Sequence, residues 1–190
     1  MLSGMLSSSW YVYAWALFER MPEDGFICRD SPDGIPYGPD GDCVPDKFCN
    51  DPSIIWEPNY ISNQDLYNWV TRLDLACEKD FWIGMIGSSY FIGWALTLIP
   101  ISRLADIYGR AWIYRISMIL YAFDLVCVYL AKDITTMIVV NFIMGCLTTA
   151  RISIGFVYMQ EFLTPKYQTI SATSWSFIDG FTYLLISVYF

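Results

Sequence analysis

Residues 81–110 read FWIGMIGSSYFIGWALTLIPISRLADIYGR, and they decide the architecture. Phe81–Ile101 is a run of 21 residues without a single charge. As a helix rising about 1.5 Å per residue it reaches across a hydrocarbon layer of roughly 30 Å. The stretch that follows carries Arg103, Asp106 and Arg110, with Gly109 placed for a tight bend. It reads as a charged interfacial turn over 102–110, with Asp106 just before a helix start. Three further stretches repeat the pattern: Ala111–Ala131 (21 residues, holding Arg115 and Asp124), Ile134–Tyr158 (25, holding Arg151) and Ile170–Phe190 (21, holding Asp179). Soluble helices average about 11 residues and keep a polar face, which these lack. Met1–Phe18 is apolar but serine-rich, and it lacks the basic start and small-residue cleavage site of a signal peptide. It reads as a first span cut short at its start. The expected fold is therefore an all-α polytopic membrane protein with helices at 1–18, 81–101, 111–131, 134–158 and 170–190.

Composition agrees. Only 16% of the chain is charged, against about 25% in an average soluble domain. Residues 19–80 hold 14 of the 19 acidic residues and 5 of the 11 basic ones, so the net charge of −8 belongs to one loop. A pI near 4.3 speaks against a nucleic-acid partner, which needs surplus Lys and Arg. The chain has no histidine, which removes Ser-His-Asp triads, Cys-His dyads, His-ligated metals and imidazole relays. No nucleophile–base pair or catalytic carboxylate pair stands out, so neither an enzyme, a cofactor nor a metal is expected.

Short-loop basic residues set the orientation. Arg103, Arg110 and Arg115 flank one connection and Lys166 lies in the connection 163–169, against only Lys132 on the opposite side. The loops 102–110 and 163–169 are expected in the cytosol and the acidic block 19–80 outside. Cys28, Cys43, Cys49 and Cys77 all lie in that block, as suits two disulfides in an oxidising compartment. Three pairings are open. The spacings lack the close pair of a zinc site, and residues 38–42 with Asp46 fit solvated turns better than a calcium loop. Gly84, Gly87, Ser88 and Gly93 make a small-residue face for close helix packing. Trp82, Tyr108, Trp112 and Tyr129 fit an interfacial aromatic belt.

The stretch Ser102–Arg110 resembles the G-x-L-A-D-R-x-G-R signature of the major facilitator superfamily of secondary transporters. It keeps Leu104, Ala105, Asp106, Gly109 and Arg110, and departs at Ser102 and Ile107. Asn141–Gly145 resembles the R-x-x-x-G opening of family helix four, with Asn141 for the Arg, and Gly155 and Glu161–Pro165 fit its later G and E-F-x-x-P pattern. Trp69–Cys77 resembles the approach to helix two in the organic cation/anion transporter-like group, which also has a long, cysteine-bearing outer loop between helices one and two. The resemblance implies the first five helices of a twelve-helix fold. It also implies a transporter of small organic solutes, cations or anions, that works by alternating access. The chain is then expected to be an incomplete N-terminal part, in a multi-pass protein of the plasma membrane. Its partners are the bilayer, the solute, and a missing C-terminal half or partner subunit.

The resemblance further implies that Asp106, Gly109, Arg110 and Glu161 form a conformational latch that does not touch solute. Arg151, Asp124 and Asp179 are candidates for solute, ion or pairing roles because charge is costly in lipid. The family usually has a small residue at Arg151, so this Arg is peculiar to the chain. An Arg151–Asp179 ion pair is the leading structural expectation. An anion would suit Arg151, a cation Asp179 or Asp124. Phe156 aligns with an aromatic near the group's site. The alternative functional reading is a non-transporting, half-length membrane subunit acting through partners. An adhesion-type four-span protein does not explain the Asp106–Arg110 signature.

Overall fold

The computed structural model describes residues 11–13, 26–30, 34–36, 43–51, 53–58, 69–73 and 75–189. The expected first span lies largely outside the described residues, and so does Asp74. The chain divides into two compact units: Ala16–Ile83, and Met1–Trp15 with Gly84–Phe190.

The first unit has too few apolar residues for a large core and is stapled instead. Strands β1 (Phe26–Arg29) and β2 (Ile55–Pro58) pair antiparallel, with Cys28 opposite Trp56. Single-turn helices α1 (Pro45–Phe48) and α2 (Trp69–Arg72) and a 3-10 turn at Leu75–Cys77 complete the described part. Phe26, Phe48 and Trp56 make a three-ring cluster with centroids 5.0–5.5 Å apart. Around it sit Cys28, Cys43 and Ala76. Disulfides join Cys28 to Cys43 and Cys49 to Cys77, across separations of 15 and 28 residues. Closing rings of this size stabilises a small unit by about 3 kcal/mol each, chiefly through the unfolded chain. All four cysteines of the acidic block are thus paired.

The second unit is helical. Helix α3 is Asp80–Tyr108, α4 is Arg110–Leu130 and α5 is Ile134–Thr149. A π-helical turn at Ala150–Ile154 leads into α6 (Gly155–Glu161), and α7 is Pro165–Tyr189. Helices α3 and α7 run longer than the apolar runs suggest, while α4 keeps the expected 21 residues. Residues 102–108 continue α3 rather than forming a turn, and Gly109 alone, at φ +90°, joins it to α4. Asp106 therefore lies in the last turn of a helix and not ahead of the next one. Lys166 likewise lies in the first turn of α7, because Pro165 at the helix start needs no N–H partner.

Three spans, Phe81–Tyr108, Arg110–Leu130 and Ile134–Glu161, are long and apolar enough to cross a membrane among the described residues. Helix α7 has 25 residues and so a length of about 37 Å. Its serines and threonines make it less apolar, yet Thr173, Ser174, Ser176 and Thr182 all donate to carbonyls of their own helix at 2.8–3.3 Å. Hydroxyls satisfied in this way cost little in lipid. Ile116, Ile119, Leu120, Phe123, Val126 and Leu130 leave α4 with an exposed apolar side, as contact with acyl chains requires.

Helices α3 and α5 approach backbone to backbone. A Cβ on Gly93 would collide with the carbonyl of Phe142, and one on Gly145 with the carbonyl of Tyr90. Gly84 belongs to the same small-residue face in the sequence, yet a Cβ there would stand in open space, with nothing within 4 Å. Around the crossing, Tyr90 donates to Thr148 Oγ1 at 3.2 Å, Thr149 to the carbonyl of Trp94 at 3.1 Å, and Thr97 and Thr149 share a hydrogen bond of 2.8 Å. Replacing Gly145 by Leu should therefore lower the thermal midpoint of the detergent-solubilised protein and its yield as a monodisperse species, by an overpacking cost of about 1–3 kcal/mol or more. Gly84→Leu should leave both close to wild type; equal damage from the two would contradict the crossing.

Candidate functional site

At one end of the membrane unit, three helix termini meet around a single guanidinium. Asp106 projects from the last turn of α3, where the helix dipole disfavours a carboxylate. Arg110, the first residue of α4, offsets it: Nη2 donates to Asp106 Oδ1 at 3.1 Å, and Nη1 donates to Oε1 of Glu161, the last residue of α6. Gly109 makes this possible, because a side chain at φ +90° is strained. Beneath the charges, Ala105 is buried against Ala150 and Ile154 of the π turn, with Ile101 and Ile113 beside them. The signature alanine is small where α3 must lie close to that turn. Arg110 is 29% exposed and its partners 63% and 52%, so each pair contributes on the order of 0–1 kcal/mol. This is a contact that a modest rearrangement can break and remake.

Deeper in the unit lie the intramembrane charges. Arg151 is in the π turn and buried, its Cζ 3.6 Å from the centre of the Tyr121 ring. A guanidinium on an aromatic face is a favourable pairing once desolvated. The extra residue of a π turn re-aims the side chains around it, and such turns are frequent at functional sites. Asp179 on α7 accepts a hydrogen bond from Tyr13 at 2.7 Å, and the Tyr13 ring meets Tyr183 edge-on at 5.3 Å. Each of these two charges meets a tyrosine, Tyr121 for Arg151 and Tyr13 for Asp179. Asp124 is buried on α4, on the face it shares with Ser117, Tyr121 and Val128. Phe156 packs edge-on against Trp175 of α7 at 5.4 Å, and Gly155 abuts the Tyr114 ring.

The tyrosines are the part that the sequence pattern does not single out. Tyr11 donates to Asn141 Oδ1 at 2.7 Å and its ring lies 6.4 Å from that of Tyr90. Tyr11, Tyr90 and Tyr121 thus line up with Asn141, Thr148 and Arg151 as an interior row of polar groups. With 14 tyrosines in the chain, no single one stands out by composition. The signal that does point there is Asn141 itself, a polar residue amid an apolar run.

Residues 74–188 match the model of the Major Facilitator Superfamily. The chain is similar to organic cation transporter 1 of Caenorhabditis elegans, 26% identical over 133 residues, which are 68% of this chain and 22% of that protein. It is similar to a steroid transmembrane transporter of Oryctolagus cuniculus, 28% identical over 104 residues, 55% of this chain and 19% of the relative. It is also similar to solute carrier family 22 member 2 of Mus musculus, 24% identical over 99 residues, 52% of this chain and 18% of the relative. The chain thus spans about a fifth of the length of these relatives. No solved structure matches it.

A double-mutant cycle on Arg110→Ala and Glu161→Ala, read as unfolding free energy in detergent, should give a coupling of about 0.2–1 kcal/mol that shrinks with added salt. A coupling of zero at low salt would remove the contact.

Proposed function

The chain belongs to the major facilitator superfamily, and on that premise we propose that it forms part of a transporter that moves small organic solutes across a membrane by alternating access. It is a multi-pass, mainly helical membrane protein of a transporter family rather than of an enzyme class. The observation that carries the proposal is Arg110 bridging Asp106 and Glu161, because it ties three helix ends together with weak, exposed charge pairs. Such a latch holds one conformation against another without binding solute. In this reading it faces the cytosol, the loop 19–80 faces outward in the plasma membrane, and the two disulfides agree with an oxidising exterior. Alternating access needs a second half to rock against, so these helices work as part of a longer chain or with a partner subunit.

The solute class is drawn from the relatives, whose names include organic cation and steroid transporters. The interior row Tyr90, Tyr121, Asn141 and Arg151, with Phe156 near it in sequence, offers aromatic faces and hydrogen-bonding groups of the kind that suits organic ions.

The deciding experiment is kinetic. Asp106→Asn in the full natural chain should slow turnover of a transported solute severalfold while its equilibrium binding stays near wild type. Unchanged turnover would count against the latch. A natural chain that reaches the membrane, folds, and neither binds nor moves organic ions would favour the non-transporting subunit.

A further inference from the structure

Two further arginines flank the bend between α3 and α4. Arg103 lies six residues before Gly109 and Arg115 six residues after it, so each sits about 9 Å of helix away from the bend. Neither is in a loop. Arg103 is exposed on α3 between Ile99 and Ile107, which stand four residues away on either side and are exposed as well. Arg115 is exposed on α4 among Trp112, Ile116 and Ile119, on the apolar side open to acyl chains. Residues three and four apart share a helix face, so both side chains leave their helices on faces turned to lipid.

A charge there is costly unless it reaches the headgroups and meets an opposite charge. The carboxylates at this end of the unit do not supply one. Asp106, one turn from Arg103, and Glu161 are both bound to Arg110. Asp124 comes nine residues after Arg115, two and a half turns on, which puts it on the opposite side of α4, where it is buried. Among the described residues, the ion pairs at this end run through Arg110 and not through Arg103 or Arg115. Arg115 instead lies over the Trp112 ring, its Cζ 5.9 Å from the centroid. Trp112 is one turn closer to the bend, so this contact turns the guanidinium toward the membrane surface. The exposed rings of Tyr108 and Trp112 mark that surface, where tyrosine and tryptophan settle at headgroup level.

We propose that Arg103 and Arg115 hold the phosphate groups of acidic phospholipids in the leaflet on the side of the Gly109 bend. A guanidinium offers a phosphate two parallel N–H donors, and the flanking isoleucines receive the acyl chains. A zwitterionic lipid carries its own cation beside the phosphate, so the net charge favours an acidic headgroup. The site needs only that α3 and α4 span the bilayer, and it stands whether or not the chain moves a solute.

Native mass spectrometry of the full natural chain, released from micelles with equal amounts of phosphatidylglycerol and phosphatidylcholine, reads which lipids it retains. Wild type should keep phosphatidylglycerol severalfold over phosphatidylcholine. The double variant Arg103→Gln, Arg115→Gln should lose most of that preference, and Arg115→Lys, which keeps the charge, should lose less. Parity in wild type overturns the proposal, as would follow if an acidic side chain elsewhere in the natural chain covered the two arginines. So does an unchanged preference in the double variant, or an equal loss in Lys132→Gln, at the other end of α4. Glycerol phosphate in solution should not displace the lipid; displacement would assign the arginines to a soluble anion and overturn the lipid site. If the double variant does not fold, cross-linking of wild type decides, in vesicles of the same two lipids with a photoreactive group on the phosphatidylglycerol head. Adducts on residues 99–119 support the proposal, and adducts confined to other segments overturn it.

Discussion

The membrane unit depends on one crossing, where α3 and α5 touch through Gly93 and Gly145 with no side chain between them. In lipid there is no hydrophobic force between helices, so close van der Waals packing and hydrogen bonds must hold them. The crossing supplies both. It brings the Tyr90 hydroxyl to Thr148 and sets Thr97 beside Thr149. Further along α3, it lets Ala105 meet Ala150 and Ile154. From there the position of Asp106 and Glu161 on either side of Arg110 follows from helix geometry alone. A pair of glycines in the middle of the unit therefore sets the spacing of charges at its end.

The unit treats its charges in three ways. At the helix ends, carboxylates stay partly exposed and share one guanidinium, so their pairing is weak and reversible. Inside, Arg151 is buried on the face of Tyr121, and the half-buried Asp179 accepts a hydrogen bond from the phenol of Tyr13. Asp124 is given neither device. It lies buried on α4, and its Oδ2 has no hydrogen-bond partner.

Much of this is legible in the chain. Apolar runs of 21–25 residues specify membrane-length helices by arithmetic, and the Asp106–Arg110 spacing places both beside one bend. Clustering of four cysteines in a polar block points to disulfides, although only folding chooses Cys28–Cys43 and Cys49–Cys77. What cannot be read depends on three dimensions. Helix α3 carries Pro100 within it and still runs on through Tyr108, ending only at Gly109, and charge alone does not end a helix. The π turn at Arg151 has no marker in sequence, since it inserts no glycine or proline. The pairing of Tyr13 with Asp179 spans most of the chain and is set by how helices pack, not by any local pattern.

The two disulfides of the polar unit follow one another along the chain and do not interlock. They divide it into two covalent rings, Cys28–Cys43 and Cys49–Cys77, joined by a short bridge through α1. A protease that cuts within either ring opens a loop but leaves the polypeptide in one piece until a reductant arrives. A cut in the bridge, residues 44–48, separates the chain at once. Between Cys28 and Cys77, the stretch where a single nick parts the chain is thus also the stretch that carries Phe48 into the aromatic cluster; Phe48 is buried there, while Val44, Asp46 and Lys47 of the bridge are exposed.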